Sequence, residues 1–200
     1  MSKLYTPLSI GHLDAHVSYA HPPKLSEVLH WDDPALHAMV DFKYVQADII
    51  SSEDGIDIAL LAIKNCHYHV LLVVNHEDKI DGIVSAEDLL GEKPLKVIQE
   101  RRIPRAEISV GMVMVPQNEI IVFNVEELRH AKVSHVVEAL HAHKKHFALV
   151  IKMDEKLEKQ IVRGLFSISQ ISKQLGRDVS SDLSEAQSIA ELQHGLHLHD

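Results

Sequence analysis

Two stretches decide the reading: "GIVSAEDLLG" (82–91) and "GLFSISQISKQLG" (164–176). Each opens on a glycine, passes through two apolar residues to a serine, and runs on as a helix-forming segment. The first places Asp88 three residues after Ser85, and the second places Gln170 three residues after Ser167. An apolar strand pattern precedes each glycine: "HVLLVV" (69–74) and "HFALVI" (146–151), 77 positions apart. Upstream at the same offset Ala62 meets Ala139 and Ile63 meets Leu140. Ile56, Leu60 and Ile63 fall at helical spacing in one copy, as do Val133, Val137 and Leu140 in the other. The offset grows to 82 because "NHEDKID" (75–81) becomes the longer "KMDEKLEKQIVR" (152–163). Charged hairpin connections tolerate such insertions.

A further strand is expected before each copy, in "FKYVQADII" (42–50) and "NEIIVFNV" (118–125). Each copy then reads strand, helix, strand, charged turn, strand, helix. One such unit cannot bury its apolar face alone, whereas two packed sheet to sheet can.

Composition bounds the rest. Two hundred residues, 46% of them hydrophobic, suffice for one compact unit or two small ones sharing a core. A net charge of −9 and only nine Phe, Trp or Tyr residues argue against nucleic-acid binding, which needs a basic stripe and stacking surfaces. Cys66 is the single cysteine, which excludes an intrachain disulfide framework and fits a reducing compartment. The first twenty residues lack the continuous apolar run of a signal peptide, and no stretch approaches a membrane helix. A soluble, cytoplasmic protein is expected, without a membrane partner.

With the repeat in place, the chain resembles a tandem cystathionine-β-synthase-type pair, the CBS or Bateman module. The resemblance rests on "HVLLVVNHEDKIDGIVSAEDLLG", on "ISVGMVMVP" (108–116), and on the second hairpin and its "GLFSISQISKQLG". "MVMVP" is similar to the Met-Thr-Pro segment that often opens a second CBS unit, with Val115 in place of threonine. The resemblance covers roughly residues 41–177. It implies an α/β (α+β) fold of two βαββα units related by a pseudo-twofold axis. The expected division is an extension (1–40), a first unit (41–91), an inter-unit segment (92–109), a second unit (110–177) and a helical tail (178–200).

The resemblance also implies a sensor of adenosyl ligands (AMP, ATP, NAD or S-adenosylmethionine) that signals occupancy to an effector protein and has no catalysis or catalytic cofactor. A homodimer is expected, since CBS modules commonly pair through their helices. The family places ribose against the Asp of its signature. Mapped by position, this implicates Asp88 and Ser85, with Ile83 and Val84 and the strand-end residues Ile49 and Ser51. Ser167, Gln170 and Phe166 mark a weaker second site, because a neutral amide is a poorer clamp for a diol.

Plainer readings stand beside these. Ser-x-x-Asp and Ser-x-x-Gln before a helix are capping boxes, in which serine takes an orphan amide and the third helical residue reaches back. On that reading both copies keep a helix cap and only the first keeps a ribose reader. Sixteen histidines include the groups 66–69, 141–146 and 194–199, but convergent zinc ligation is not implied by such spacing, and no metal site is expected. Arg101, Arg102 and Arg105 read as a solvated face, in a connection that Pro94 and Pro104 break into short pieces. "DDPALHAMVDF" (32–42) begins a short helix with Pro34 in its first turn. A nucleophile elbow, a phosphate-binding glycine loop and a zinc-protease helix are all absent from the sequence. The competing reading is a structural or interaction module with a vestigial pocket.

Overall fold

The computed structural model describes residues 27–66, 68–154 and 158–180. The expected tail helix lies outside these residues. In the first repeat β2 (Ile49–Ser51) leads to α1 (Ile56–Asn65), the hairpin β3 (Val70–Val74) and β4 (Ile80–Ser85), and α2 (Ala86–Leu90). The second repeat follows suit, with β6 (Val122–Asn124), a short α4 (Val125–Leu128), α5 (Val133–Ala142), β7 (Phe147–Asp154), β8 (Lys159–Ser167) and α6 (Ile168–Leu175). Two further strands, β1 (Val40–Asp41) and β5 (Val115–Pro116), complete two four-stranded sheets ordered β2-β3-β4-β5 and β1-β8-β7-β6.

The two sheets pack on one another with helices outside. Alternation along each strand sorts the side chains. Val70, Leu72 and Ile83 of one sheet and Val40, Leu149 and Leu165 of the other form the layer between the sheets. Leu71, Val73 and Val84 point instead to Ile56, Ala59 and Ile63 of α1. Ala148, Val150 and Phe166 point to Val133, Val136 and Leu140 of α5. Burial on both faces explains why "VLLVV" carries no polar residue.

The strands are exchanged between repeats. β5 immediately precedes the second repeat, yet it pairs with β4 of the first, Gly82 opposite Pro116. β1 precedes the first repeat and pairs with β8 of the second, Gly164 opposite Asp41. The glycines follow from this exchange. A Cβ on Gly82 would collide with the Val115 carbonyl and stand 2.8 Å from Met114 Sδ. A Cβ on Gly164 would collide with the Val40 carbonyl and stand 3.0 Å from Met39 Sδ.

Three expectations change. Residues 29–40, read as an extension outside the pair, lie in the second unit: Leu29, Ala35, Ala38 and Met39 belong to its core. The carbonyls of Trp31 and Asp33 accept the amides of Ser134 and Val133, satisfying the free donors that open α5. A single turn of 3-10 helix, Ala35–His37, follows Pro34. Second, the strand expected over 42–50 is confined to Ile49–Ser51, because Asp41 turns the chain by accepting the Lys43 and Val45 amides. Third, the charged inter-unit segment holds α3 (Glu92–Arg101) rather than short pieces. Pro94 sits in its first turn, where no intrahelical donor is lost, and Val97 anchors the helix on the first core. Among the described residues no helix is long and apolar enough to cross a membrane.

Candidate functional site

The end of the first sheet where β2 and β3 begin is also where β4 ends, since Val70 pairs with Ser85 and Ile49 with Leu72. Three features meet there. One is the Ser85–Asp88 turn into α2. Another is the exposed start of β2. The third is a cleft of about 620 Å³ lined by Val45, Gln46, Ala47, Asp48, Ile49 and Tyr68.

Ser85 and Asp88 form a closed capping box. Asp88 Oδ2 accepts from the Ser85 amide at 2.8 Å and from the Ser85 hydroxyl at 2.7 Å. The Asp88 amide in turn donates to Ser85 Oγ at 3.3 Å. Asp88 Oδ1 is ion-paired with Lys93 Nζ at 2.6 Å, the lysine coming from the first turn of α3. A carboxylate oxygen carries about two lone pairs. Oδ2 is therefore filled, and Oδ1 keeps one position beside the ammonium. The carboxylate is both a structural cap and an incompletely used acceptor.

The other residues implicated by sequence divide. Ile49 is 55% exposed and faces the cleft. Ser51 is held in its own turn, its Oγ accepting from the Glu53 amide at 3.2 Å and its amide donating to Asp54 Oδ2 at 3.1 Å. Ile83 lies between the sheets, and Val84 lies in the first core against α1. Tyr68 and residues 45–47 were not implicated by sequence; their signal was their place at the strand starts, beside "DII" (48–50). Burial raises the Tyr68 phenol above the ordinary tyrosine range, and the negative Asp48 adds to the shift.

The second unit departs from the expected cap. Ser167 is buried, but no side chain caps α6. Its hydroxyl pairs instead with Ser169 Oγ at 2.9 Å. Gln170, longer by a methylene than aspartate, does not close the box. The Ile168 amide is satisfied by the His146 carbonyl at 2.9 Å. Phe166 packs edge-on against Phe123 inside the second core.

Among the described residues the histidine groups do not converge. His141 Nε2 lies 2.8 Å from the Val179 carbonyl, and His146 Nε2 lies 3.9 Å from Glu87 Oε2 of the first unit. His143 ends α5, near the negative end of its dipole. Among the described residues no three His, Cys, Asp or Glu side chains are grouped to hold a metal ion. The 194–199 group and His67 lie outside the described residues.

No family model matches the chain, and no curated protein does. Solved structures do match its fold. A conserved CBS domain protein of unknown function from Thermoplasma acidophilum superposes with a TM-score of 0.51 at 14% identity, covering 75% of this chain and 77% of that one. A hemolysin-like protein containing a CBS domain, from Oenococcus oeni, gives 0.48 at 22% identity over 72% of this chain and 91% of its own. CBSX2, solved in complex with AMP, gives 0.48 at 17% identity over 70% and 94%. Two helix-backed sheets with exchanged strands, superposable on the Thermoplasma protein over three quarters of each chain, show that this chain has the fold of a CBS-domain protein.

Proposed function

We propose that the chain is a ligand-sensing CBS pair whose first unit binds an adenosine-containing small molecule and whose occupancy is read by an effector protein, without catalysis. The observation that carries this is the shared sheet end. The cleft at Val45–Ile49 and Tyr68 and the turn that carries Asp88 lie at the same end of the first sheet. Tyr68 and Ile49 offer apolar surface for a base, and the free position on Asp88 Oδ1 suits a ribose hydroxyl. The second unit has an amide where the first has this carboxylate, so one ligand per chain is expected.

Equilibrium binding of AMP, ATP, NAD and S-adenosylmethionine by calorimetry tests the reading. Saturable binding of at least one of them, lost in Asp88→Ala, supports it. No binding by any member would leave the alternative, an interaction module in which Ser85, Asp88 and Lys93 serve only to start α2. The engagement of Asp88 by Ser85 on one oxygen and Lys93 on the other is the observation that favours that second reading.

A further inference from the structure

We propose that Arg163, on β8 of the second unit, is a positioning residue for the cleft of the first unit: it holds the turn from which the cleft wall Val45–Asp48 departs. β1 lies in the second sheet and β2 in the first, so residues 42–48 cross from one sheet to the other. At the far end of this crossing the Asp48 carbonyl accepts the Leu72 amide at 2.9 Å, which ties it to β3. At the near end the ties run through Asp41 and Arg163. The Asp41 carboxylate accepts the Lys43 amide at 2.8 Å. Its carbonyl accepts the amides of Tyr44 at 2.9 Å and Val45 at 3.1 Å.

Arg163 fixes this turn in three ways. Its carbonyl accepts the Phe42 amide at 3.0 Å, and its guanidinium is ion-paired with the Asp41 carboxylate. The same guanidinium stands 6.0 Å from the centre of the Tyr44 ring, within reach of a cation–π contact. Both members of the ion pair are 19% exposed, so their attraction is less screened than at a free surface. Val45 follows the turn directly, and Val45 and Ala47 pack with Tyr68 on the layer between the sheets. Moving the turn moves the wall against Tyr68.

The internal repeat shows that this ion pair is an addition to the fold rather than a need of it. Gly82 stands opposite Pro116 as Gly164 stands opposite Asp41. Pro116 therefore takes the place of Asp41, and Asp81, just before Gly82, takes that of Arg163. The first repeat makes the same strand exchange without this charge pair. Asp81 instead accepts a hydrogen bond at 2.9 Å from Asn75 of its own hairpin. There the chain leaves β5 through a 3-10 turn, Gln117–Glu119. The added pair sits where the chain turns toward the cleft, so the second unit completes a wall of the first unit's cleft.

Two measurements on the full chain test this, and neither needs a ligand. The Lys43 and Val45 amides exchange by local opening of the turn. Their exchange should quicken about ten-fold or more in Arg163→Met, as when a charge-assisted bond is lost. The Tyr68 phenol, read as the phenolate absorbance that Tyr68→Phe removes in each background, should titrate lower in Arg163→Met than in the wild type. The displaced wall is what carries Asp48 and shields the ring. Arg163→Lys, still able to pair with Asp41, should return both readouts most of the way. Asp41→Asn keeps an acceptor for the Lys43 amide but releases the guanidinium, and should shift Tyr68 in the same direction. It carries the test if circular dichroism shows Arg163→Met unfolded. Val137→Ala loosens the second core away from the turn and should leave both readouts at wild-type values. A Tyr68 midpoint unmoved in both Arg163→Met and Asp41→Asn overturns the proposal. So does an equal shift in Val137→Ala, which would make the effect one of general loosening.

Discussion

Lys93 Nζ stands 2.6 Å from Asp88 Oδ1, on the one carboxylate oxygen that the helix cap leaves open. Any diol that uses both lone pairs of that oxygen displaces the ammonium. Lys93 is half exposed, so the pair contributes about 0–1 kcal/mol, the range of solvated ion pairs. Lys93→Met should therefore raise the affinity for uncharged adenosine, by about five-fold at most. A fall in affinity, measured by calorimetry, would mean that Lys93 itself holds the ligand.

Asp88 variants separate cap from site. Asp88→Ala removes both and should cost about 0.5–2 kcal/mol of stability as a lost cap. It should also weaken an adenosine ligand by about ten-fold or more, since charge-assisted bonds contribute roughly 1.5–3 kcal/mol. Asp88→Asn keeps an acceptor for the Ser85 amide and should be nearly neutral in thermal melts, yet as damaging to binding as alanine. Asp88→Gln should lose the cap as well, because the same pair, Ser167 and Gln170, fails to close a box. Equal affinity in wild type and Asp88→Asn would sink the ribose reading.

Gly82→Ala and Gly164→Ala should each destabilise by roughly 1–3 kcal/mol or more, the cost of overpacking. In both, the obstruction is a backbone carbonyl of an exchanged strand, which cannot move aside as a side-chain end can. Gly55 is the control: a Cβ there meets nothing nearer than Ile108 O at 4.0 Å. Gly55→Ser supplies an N-cap for α1 and should be neutral or stabilising in denaturant titrations. A tolerated Gly82→Ala would show that β5 does not lie against β4.

Tyr68 should ionise above the ordinary tyrosine value of about 10. Its neutral form is favoured by folding, so the associated stability is fully present below pH ~10 and is lost as pH rises through the raised folded value. Phenolate absorbance, taken as wild type minus Tyr68→Phe, measures the shift. Asp48→Asn should lower the midpoint only in part, because burial is the larger cause and remains. A midpoint falling all the way to the unperturbed value in Asp48→Asn would mean that the phenol is solvated.

The repeated strand and helix patterns were legible because they are local. Val70–Val74, α1 and α5 fall where periodicity put them, whereas β7 and β8 run on through Lys152–Asp154 and Lys159–Arg163, which read as a charged connection. What escaped were contacts between distant segments. "AMVDF" (38–42) and "VMVPQ" (113–117) share a Met-Val pair 75 positions apart, and both pairs enter the opposite sheet. That offset differs from 77 and 82, so a search along the hairpins passes over it. Asp88 and Ser85 were placed correctly as a cap, since a capping box needs only four residues. The cleft was not legible beyond Asp48 and Ile49, because Tyr68 joins it through parallel pairing of β2 with β3. α3 was obscured by Pro94, whose cost vanishes in a first turn.

The exchange of β1 and β5 also fixes when the molecule can be finished. Val40 is among the first described residues to leave the ribosome, and its partner Leu165 is among the last. Contacts of such sequence separation form slowly, because the loop between them must be ordered first. The first repeat can acquire its own edge strand once Val115 has been made. The second must wait for a segment synthesised long before it, which stays unpaired until the β7–β8 hairpin arrives. During elongation the chain therefore carries "AMVDF" as an open apolar edge, and a hairpin translated long after it is the one that covers it.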